Sequence, residues 1–338
     1  MHMLAEYILF LAKSITIVVS ILIILGSIIS LSGKKKQKGK MTVKKLNDQY
    51  HAIEKELANK TLDKKALKAS LKKDKKTQKN RAKDSHSRLF VIHFNGDIQA
   101  HAVESLRQEV TAVLLSATDQ DEVLVCVESP GGVVPSYGLA SSQLARIREA
   151  NIKLTIAVDK VAASGGYMMA CVANHIIAAP FAIVGSIGVV AQLPNFHRFL
   201  DKKSIDFEQI TAGEYKRTLT YFGENTDSGR EKMQADINEA HELFKQHIAH
   251  FRPQLNINDV ATGEYWYGTQ ALSLGLIDNI QTSDDYLLQH KNQYDLIEVG
   301  YAMKKPFPQS LMQQANKLYH RLSKESIMFK SQHSHGLE

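Results

Sequence analysis

Ser164 stands in Val161-Ala162-Ala163-Ser164-Gly165-Gly166-Tyr167, where a strand-like run meets a Ser-Gly-Gly turn and then a helix-like segment. A hydroxyl there lies beside free backbone N–H groups and the positive end of a helix dipole. Such N–H groups can stabilise an oxyanion, which is often the largest catalytic contribution. The same position also suits a plain N-cap serine, and the turn alone does not choose between them. A second small-residue turn, Ser129-Pro130-Gly131-Gly132, follows the apolar run 122–129. Its glycines let backbone amides approach a ligand with no Cβ in the way. By itself this is a strand-to-helix turn. Beside Ser164 it can supply a second oxyanion donor.

A serine hydroxyl needs an adjacent base to become a nucleophile. Histidine is the usual base, yet His93, His101, His175, His197, His241, His247 and His250 all occur in strand, loop or amphipathic-helix contexts that suit structural or solvated roles. Lysine is the alternative. It titrates near ~10.4 in water and must be desolvated to act as a base. Lys216, in Gly213-Glu214-Tyr215-Lys216, is the candidate, against the plain reading of a surface lysine. No Cys/His spacing near these residues suits zinc, so no metal or cofactor is expected. Cys126 and Cys171 both sit in apolar runs and read as buried reduced thiols.

These residues need a scaffold. Segment 88–98 reads as a buried strand ending in a Gly-Asp turn, 103–116 as an amphipathic helix and 122–129 as a second strand. A helix at 136–150, a strand at 153–163 and the helix after Ser164 continue the alternation. Strand–helix alternation of this kind predicts an α/β fold, a mostly parallel sheet covered by helices. Reactive groups in such sheets gather at the carboxyl ends of the strands. Segment 176–194 is apolar enough to suggest a membrane span, but Pro180, Gly185 and Gly188 favour two short strands and a turn. A long polar helix is expected at 227–250, and a short helix closed by Gly275 within 267–278.

Ahead of this domain, Ser14–Leu31 is an uncharged apolar stretch of 18 residues, long enough for an N-terminal transmembrane helix. Only Lys13 precedes it closely and no small-x-small cleavage site follows, so it reads as a retained anchor in the bilayer. Residues 34–86 hold 18 Lys and 1 Arg against 6 acidic residues, a charge of +13 that leaves −6 for the remainder of a chain whose total is +7. The folded part is therefore mildly acidic, which argues against a nucleic-acid partner. The basic stretch reads as a partly helical stalk with attraction to anionic headgroups. The expected organisation is an anchor over 1–33, a stalk over 34–86, a catalytic domain over 87–305 and a tail over 306–338.

Taken in order, five pieces carry a resemblance: Ser129-Pro130-Gly131-Gly132, Ala162-Ala163-Ser164-Gly165-Gly166-Tyr167, Gly185-Ser186-Ile187-Gly188-Val189, Gly213-Glu214-Tyr215-Lys216 and the Ala271–Asp278 tail. Together they resemble the signal peptide peptidase A family, most closely its SohB-type branch of inner-membrane serine peptidases. The resemblance implies a fold of the Clp protease and crotonase type and a Ser-Lys dyad. Ser164 matches the nucleophile, Lys216 the general base and Ser186 a hydroxyl that orients the lysine. Backbone N–H groups of Gly165 and of Gly131 or Gly132 match the oxyanion hole, with the choice between the last two open. The implied activity is hydrolysis of peptides such as cleaved signal peptides or membrane-protein fragments. The long members are tandem duplications, whereas each motif occurs once here. That implies a half-length form, a homo-oligomer whose sites can be completed by neighbouring protomers. The family faces the periplasm, whereas the lysines after the anchor favour the cytoplasm, and both sides stay open. Two alternatives stand beside this reading. One is a crotonase-like acyl-CoA enzyme, which lacks its acidic residue here. The other is an inactive membrane scaffold.

Overall fold

The computed structural model describes residues 6–7, 9–21, 39–81 and 87–303. Elements run in the order α1 (9–21), β1 (Lys40–Lys45), α2 (Leu46–Thr61), α3 (Lys64–Arg81), β2 (Arg88–Asn95), α4 (Val103–Ser116), β3 (Glu122–Glu128), α5 (Val134–Glu149) and β4 (Lys153–Val158). They continue with β5 (Val161–Ala163), α6 (Gly165–Ala170), β6 (His175–Ala178), β7 (Ile183–Gly185), α7 (His197–Asp201), α8 (Asp227–Phe251) and α9 (Ile257–Val260). The last are β8 (Tyr265–Tyr267), α10 (Gly268–Ser273), β9 (Asn279–Ile280), α11 (Ser283–His290) and β10 (Asp295–Ala302).

Seven strands form the main sheet in the order β1-β10-β2-β3-β4-β6-β9, with every pairing from β10 to β9 parallel. This is the mostly parallel α/β architecture the alternation predicts. Both faces of the sheet are buried, which explains why the strand sequences are nearly continuous apolar runs. Along β2, Phe90, Ile92 and Phe94 enter the larger core with Leu106, Val110 and Val113 of α4 and Leu144 and Ile147 of α5. Leu89 and Val91 point the other way, into a second core with Leu46 of α2 and Tyr286 and Leu287 of α11. The two-residue period of a strand thus sorts one sequence run into two cores.

A smaller sheet, β5-β7-β8, sits at the carboxyl ends of the main strands. The expected single strand over 153–163 is two: β4 ends at Val158 and β5 belongs to the second sheet. The break falls at Asp159-Lys160, where Ser283 donates both its N–H and its hydroxyl to Asp159. A parallel bridge from Ser129 to Ala162 then ties the end of β3 to β5. The apolar segment 176–194 contains the short strands β6 and β7 joined by a turn, as its proline and glycines indicate.

Within the segment read as a stalk, residues 40–45 form the edge strand β1, and Leu46 and Asn47 at the start of α2 are buried. Asn47 donates to the Lys291 carbonyl at 2.9 Å and accepts from the Leu296 N–H at 2.7 Å. Burial of a polar side chain is tolerated when both ends are hydrogen-bonded in this way. Helix α1 exposes Phe10, Ile15, Ile17 and Val18, and its Thr16 and Ser20 hydroxyls donate back to carbonyls four residues earlier. Among the described residues no helix is long and apolar enough to cross a membrane. The expected membrane stretch 14–31 is described only to residue 21, so the rest of it, the lysines at 34–36 and the tail from 306 lie outside the described residues.

One core group carries a pH prediction. Glu109 of α4 is 6% exposed and accepts from the Tyr301 N–H at 2.7 Å. Burial pushes its carboxyl up to about 7, against the lowering pull of that N–H. The folded state therefore holds this proton where the unfolded chain has lost it. Stability falls as pH rises from the ordinary carboxylate range to about 7, and stays reduced above that. Glu109→Gln keeps an acceptor for Tyr301 and removes the charge. It is expected to stabilise the protein at pH 8, by at most about 3 kcal/mol, and to have little effect near pH 5. Thermal melts at the two pH values check this, and an unchanged melting temperature at pH 8 would refute it.

Candidate active site

Ser164 joins β5 to α6 with φ 52° and ψ −117°. A non-glycine residue held at positive φ is strained by roughly 1–3 kcal/mol and persists only where its surroundings impose it. Two backbone bonds do so here: the Ser164 N–H donates to the Gly185 carbonyl at 2.7 Å, and its carbonyl accepts from the Met168 N–H at 2.9 Å. Although Ser164 occupies the N-cap position of α6, its side chain makes no capping hydrogen bond. The hydroxyl is thus not used to cap the helix.

The Gly-rich turn after β3 packs directly against this serine. A Cβ on Gly131 would come within 2.7 Å of both the Ala163 carbonyl and Ser164 Cβ, and a Cβ on Gly132 within 2.1 Å of the Ile98 carbonyl. Gly131 also has φ +89°. Only glycine fits such approaches without displacing backbone. The N–H groups of this turn are unequal. Gly131 donates to the buried Ser129 Oγ at 3.1 Å. Among the described residues the N–H groups of Gly132 and Gly165 have no acceptor. Gly165 is the first residue of α6, where a helix leaves its N–H unpaired.

Ser164, Gly131, Gly132, Gly165 and Ser186 all line one cleft of about 550 Å³. Its walls are apolar, with Ile98, Val134, Met168, Val189 and Phe244 among them. Ser186 follows β7 at φ 52° and donates its N–H to the Glu264 carbonyl at 2.6 Å. Gly185 before it (φ +103°) leaves room for the Trp266 ring, since a Cβ there would lie 2.7 Å from Trp266 Cε3. Helix α8 closes one side. His241 contacts the Ile187 carbonyl through Nε2 at 3.1 Å, and His247 contacts the Met168 carbonyl at the same distance. Burial pushes the His247 imidazole down, which favours its neutral form. Among the described residues no histidine lines the cleft.

Lys216 is elsewhere. It is exposed, in a turn closed by its own N–H donating to the Gly213 carbonyl at 3.1 Å, and is not part of the cleft lining. The structure therefore gathers Ser164, Ser186 and the three glycines in one cleft, and among the described residues Lys216 is not part of its lining. Sequence reading also passed over Tyr137. It is fully buried on α5, and its hydroxyl lies 2.5 Å from Ser129 Oγ. The available signal was its place on the inward face shared with Ala140, Leu144 and Ile147, since a buried tyrosine needs a partner for its hydroxyl. Among the described residues no group of three His, Cys, Asp or Glu side chains is placed to hold a metal.

Comparison with known proteins bears on what this cleft does. Residues 2–144 match the family model described as Peptidase family S49 N-terminal, and residues 146–296 match that of Peptidase family S49. The "Probable protease SohB" of Haemophilus influenzae is 43% identical over 339 residues, covering 95% of this chain and 96% of that protein. A protein of the same description from Buchnera aphidicola subsp. Acyrthosiphon pisum is 47% identical, covering 90% of this chain and 92% of its own. Among solved structures, a variant of the 1510-N membrane-bound stomatin-specific protease is 15% identical, covers 61% of this chain and 85% of that one, and has a TM-score of 0.40.

Proposed function

The chain belongs to peptidase family S49, and from that premise we propose that it is a membrane-anchored serine endopeptidase with Ser164 as nucleophile and Lys216 as general base. The observation that carries this reading is the state of Ser164: strained, uncapped and lining an apolar cleft beside two N–H groups with no acceptor among the described residues. Neutral Lys216 takes the Ser164 proton as the hydroxyl attacks a peptide carbonyl, then hands it to the leaving amine. Water, activated by the same lysine, hydrolyses the ester. The Gly165 and Gly132 N–H groups receive the oxyanion. Gly132 is preferred over Gly131 because the Gly131 N–H is engaged by Ser129. Ser186, on the cleft wall, orients the lysine amine.

Lys216 is exposed within one chain, and a lysine must be desolvated to serve as a general base. A homo-oligomer meets that need, with a neighbouring protomer or an assembly-driven rearrangement of the 209–223 loop bringing the amine into the cleft. The surface supports assembly. Phe196, Phe207, Tyr221 and Phe222 form a contiguous exposed aromatic cluster, with ring centroids 5.7–6.3 Å from Phe222. Patches of this kind mark association surfaces in soluble domains. The substrates are extended peptides released at the membrane, cleaved signal peptides and membrane-protein fragments among them, and the apolar walls suit their side chains. Residues 14–31 anchor the chain once through the bacterial inner membrane.

The test is hydrolysis of casein or a fluorogenic peptide by the full-length protein in detergent. Ser164→Ala and Lys216→Ala are each expected to abolish turnover. Full activity in either one removes that residue from the mechanism.

A further inference from the structure

One buried tyrosine touches both arms of the oxyanion site. Gly131 donates its N–H to Ser129 Oγ at 3.1 Å, Ser129 Oγ lies 2.5 Å from Tyr137 Oη, and Tyr137 donates to the Asp97 carbonyl at 2.8 Å. The direction of every proton in this chain is fixed. The Asp97 carbonyl can only accept, so the Tyr137 proton goes to it. Tyr137 Oη then accepts from the Ser129 hydroxyl, and Ser129 Oγ accepts from Gly131. Both Ser129 and Tyr137 are 0% exposed, so no water competes for these groups. The Tyr137 ring, meanwhile, lies against the other arm. A Cβ on Gly165 would fall 2.4 Å from Tyr137 Cγ, and one on Gly96 would fall 2.5 Å from its hydroxyl. Gly96 and Gly165 are thus the two places where backbone makes room for this side chain.

Resting on the peptidase reading above, we propose that Tyr137, acting through Ser129, is a positioning residue that sets the spacing of the Gly132 and Gly165 N–H groups across the oxyanion site. The Ser129 hydroxyl engages the Gly131 N–H, which fixes the peptide plane before Gly131 and leaves Gly132 N–H as the donor of that turn. The ring holds the first residue of α6 at a fixed distance. A rigid pair of donors acts on the transition state rather than on the bound substrate. The tyrosine touches no reacting atom, so its effect reaches the chemistry only through those amides.

The experiment uses the full-length protein in detergent with Tyr137→Phe, Ser129→Ala and Ser164→Ala. It measures kcat and KM for a fluorogenic peptide and the inhibition constant of a matching peptide aldehyde. The aldehyde adds to a serine hydroxyl as a hemiacetal whose oxygen sits in the oxyanion site. For Tyr137→Phe and Ser129→Ala, kcat is expected to fall roughly 10- to 100-fold and aldehyde inhibition to weaken by a similar factor, with KM within about twofold of wild type. A purely structural tyrosine would lower the melting temperature without this split. Aldehyde inhibition unchanged in both variants overturns the proposal, whatever happens to KM. Should Tyr137→Phe fail to fold, Ser129→Ala, which keeps the ring, decides alone. Full hydrolysis by Ser164→Ala would instead overturn the peptidase reading itself. An inactive Ser164→Ala beside a fully active Tyr137→Phe would overturn only the positioning role.

Discussion

Mixing two dead variants, Ser164→Ala and Lys216→Ala, is expected to restore peptide hydrolysis. Each alone should lose roughly 10³-fold or more in kcat, because a serine without its base, or a base without its serine, leaves only the oxyanion donors to act. The reason to expect recovery is where Lys216 lies. It is exposed and outside the cleft that Ser164 lines within the same chain. If a neighbour supplies the lysine, a randomly mixed oligomer contains sites with an intact serine from one protomer and an intact lysine from the next. At equal proportions about a quarter of all sites are complete, so activity should return to about a quarter of the wild-type level. The subunits must be mixed under conditions that allow exchange, and a tagged wild-type subunit mixed with untagged protein reports whether exchange occurred. Activity that stays at the level of the single variants after proven exchange would show that one chain completes its own dyad. In that case the 209–223 loop must fold over the cleft. The same experiment predicts a dependence on concentration, with specific activity falling on dilution as the assembly separates.

The residues around Ser164 were legible in the sequence because their signals are local. A serine between small residues at a strand-to-helix junction and a glycine pair after a strand are features of a few consecutive residues, and the structure brings both to one cleft. The alternation of apolar strands and amphipathic helices likewise gave the parallel sheet, since Phe90, Ile92 and Phe94 on one side and Leu89 and Val91 on the other need cover from both layers. What the sequence hid depends on partners distant along the chain. At the break after Val158, Asp159 accepts from Ser283, 124 residues away, and no local pattern reveals that contact. The incorporation of β1 into the main sheet was masked by composition, because its lysines read as part of a solvated stalk. In fact Lys44 reaches Glu298 at 2.6 Å and Lys45 reaches Asp295 at 3.3 Å, so the charge there faces β10. The choice between Gly131 and Gly132 was invisible for another reason. It rests on which N–H the Ser129 hydroxyl has taken, and that is a matter of hydrogen-bond geometry rather than of residue type.

Replacing Arg252 with alanine is expected to cost about 3–5 kcal/mol of stability, the largest loss predicted for any single side chain outside the cleft. Arg252 follows α8 and is 3% exposed. Its guanidinium makes a two-pronged bond to Asp278, Nη1 to Oδ2 and Nη2 to Oδ1, both at 2.8 Å, and Nη2 also donates to the Gly275 carbonyl at 3.0 Å. Asp278 in turn accepts from the Ile176 N–H at 2.7 Å. The pair thus joins the end of α8, the turn after α10 and the start of β6. Burial by itself raises the Asp278 carboxyl, but the Arg252 and Ile176 hydrogen bonds and the arginine charge outweigh it and hold the group below the ordinary carboxylate range. Its contribution is therefore present above that range and lost as pH falls through the depressed value, so acid should narrow the gap between wild type and Arg252→Ala. Removing Arg252 leaves Asp278 half-enclosed without its two-pronged partner, held by the Ile176 N–H at 2.7 Å and facing His175 Nδ1 at 3.8 Å. Replacing both with apolar residues, as in Arg252→Met with Asp278→Leu, removes that penalty and should recover much of the loss. Thermal melts of the two singles and the double measure this coupling directly. The idea fails if Arg252→Ala melts within about 2 °C of wild type, where a change of about 1 kcal/mol corresponds to roughly 2–4 °C in a domain of this size. The consequence for activity follows from the helix itself. Ala240 and Phe244 of α8 line the cleft beside Ser164, and Arg252 fixes the end of that helix. Loosening it is expected to raise KM for an extended peptide before the whole domain unfolds.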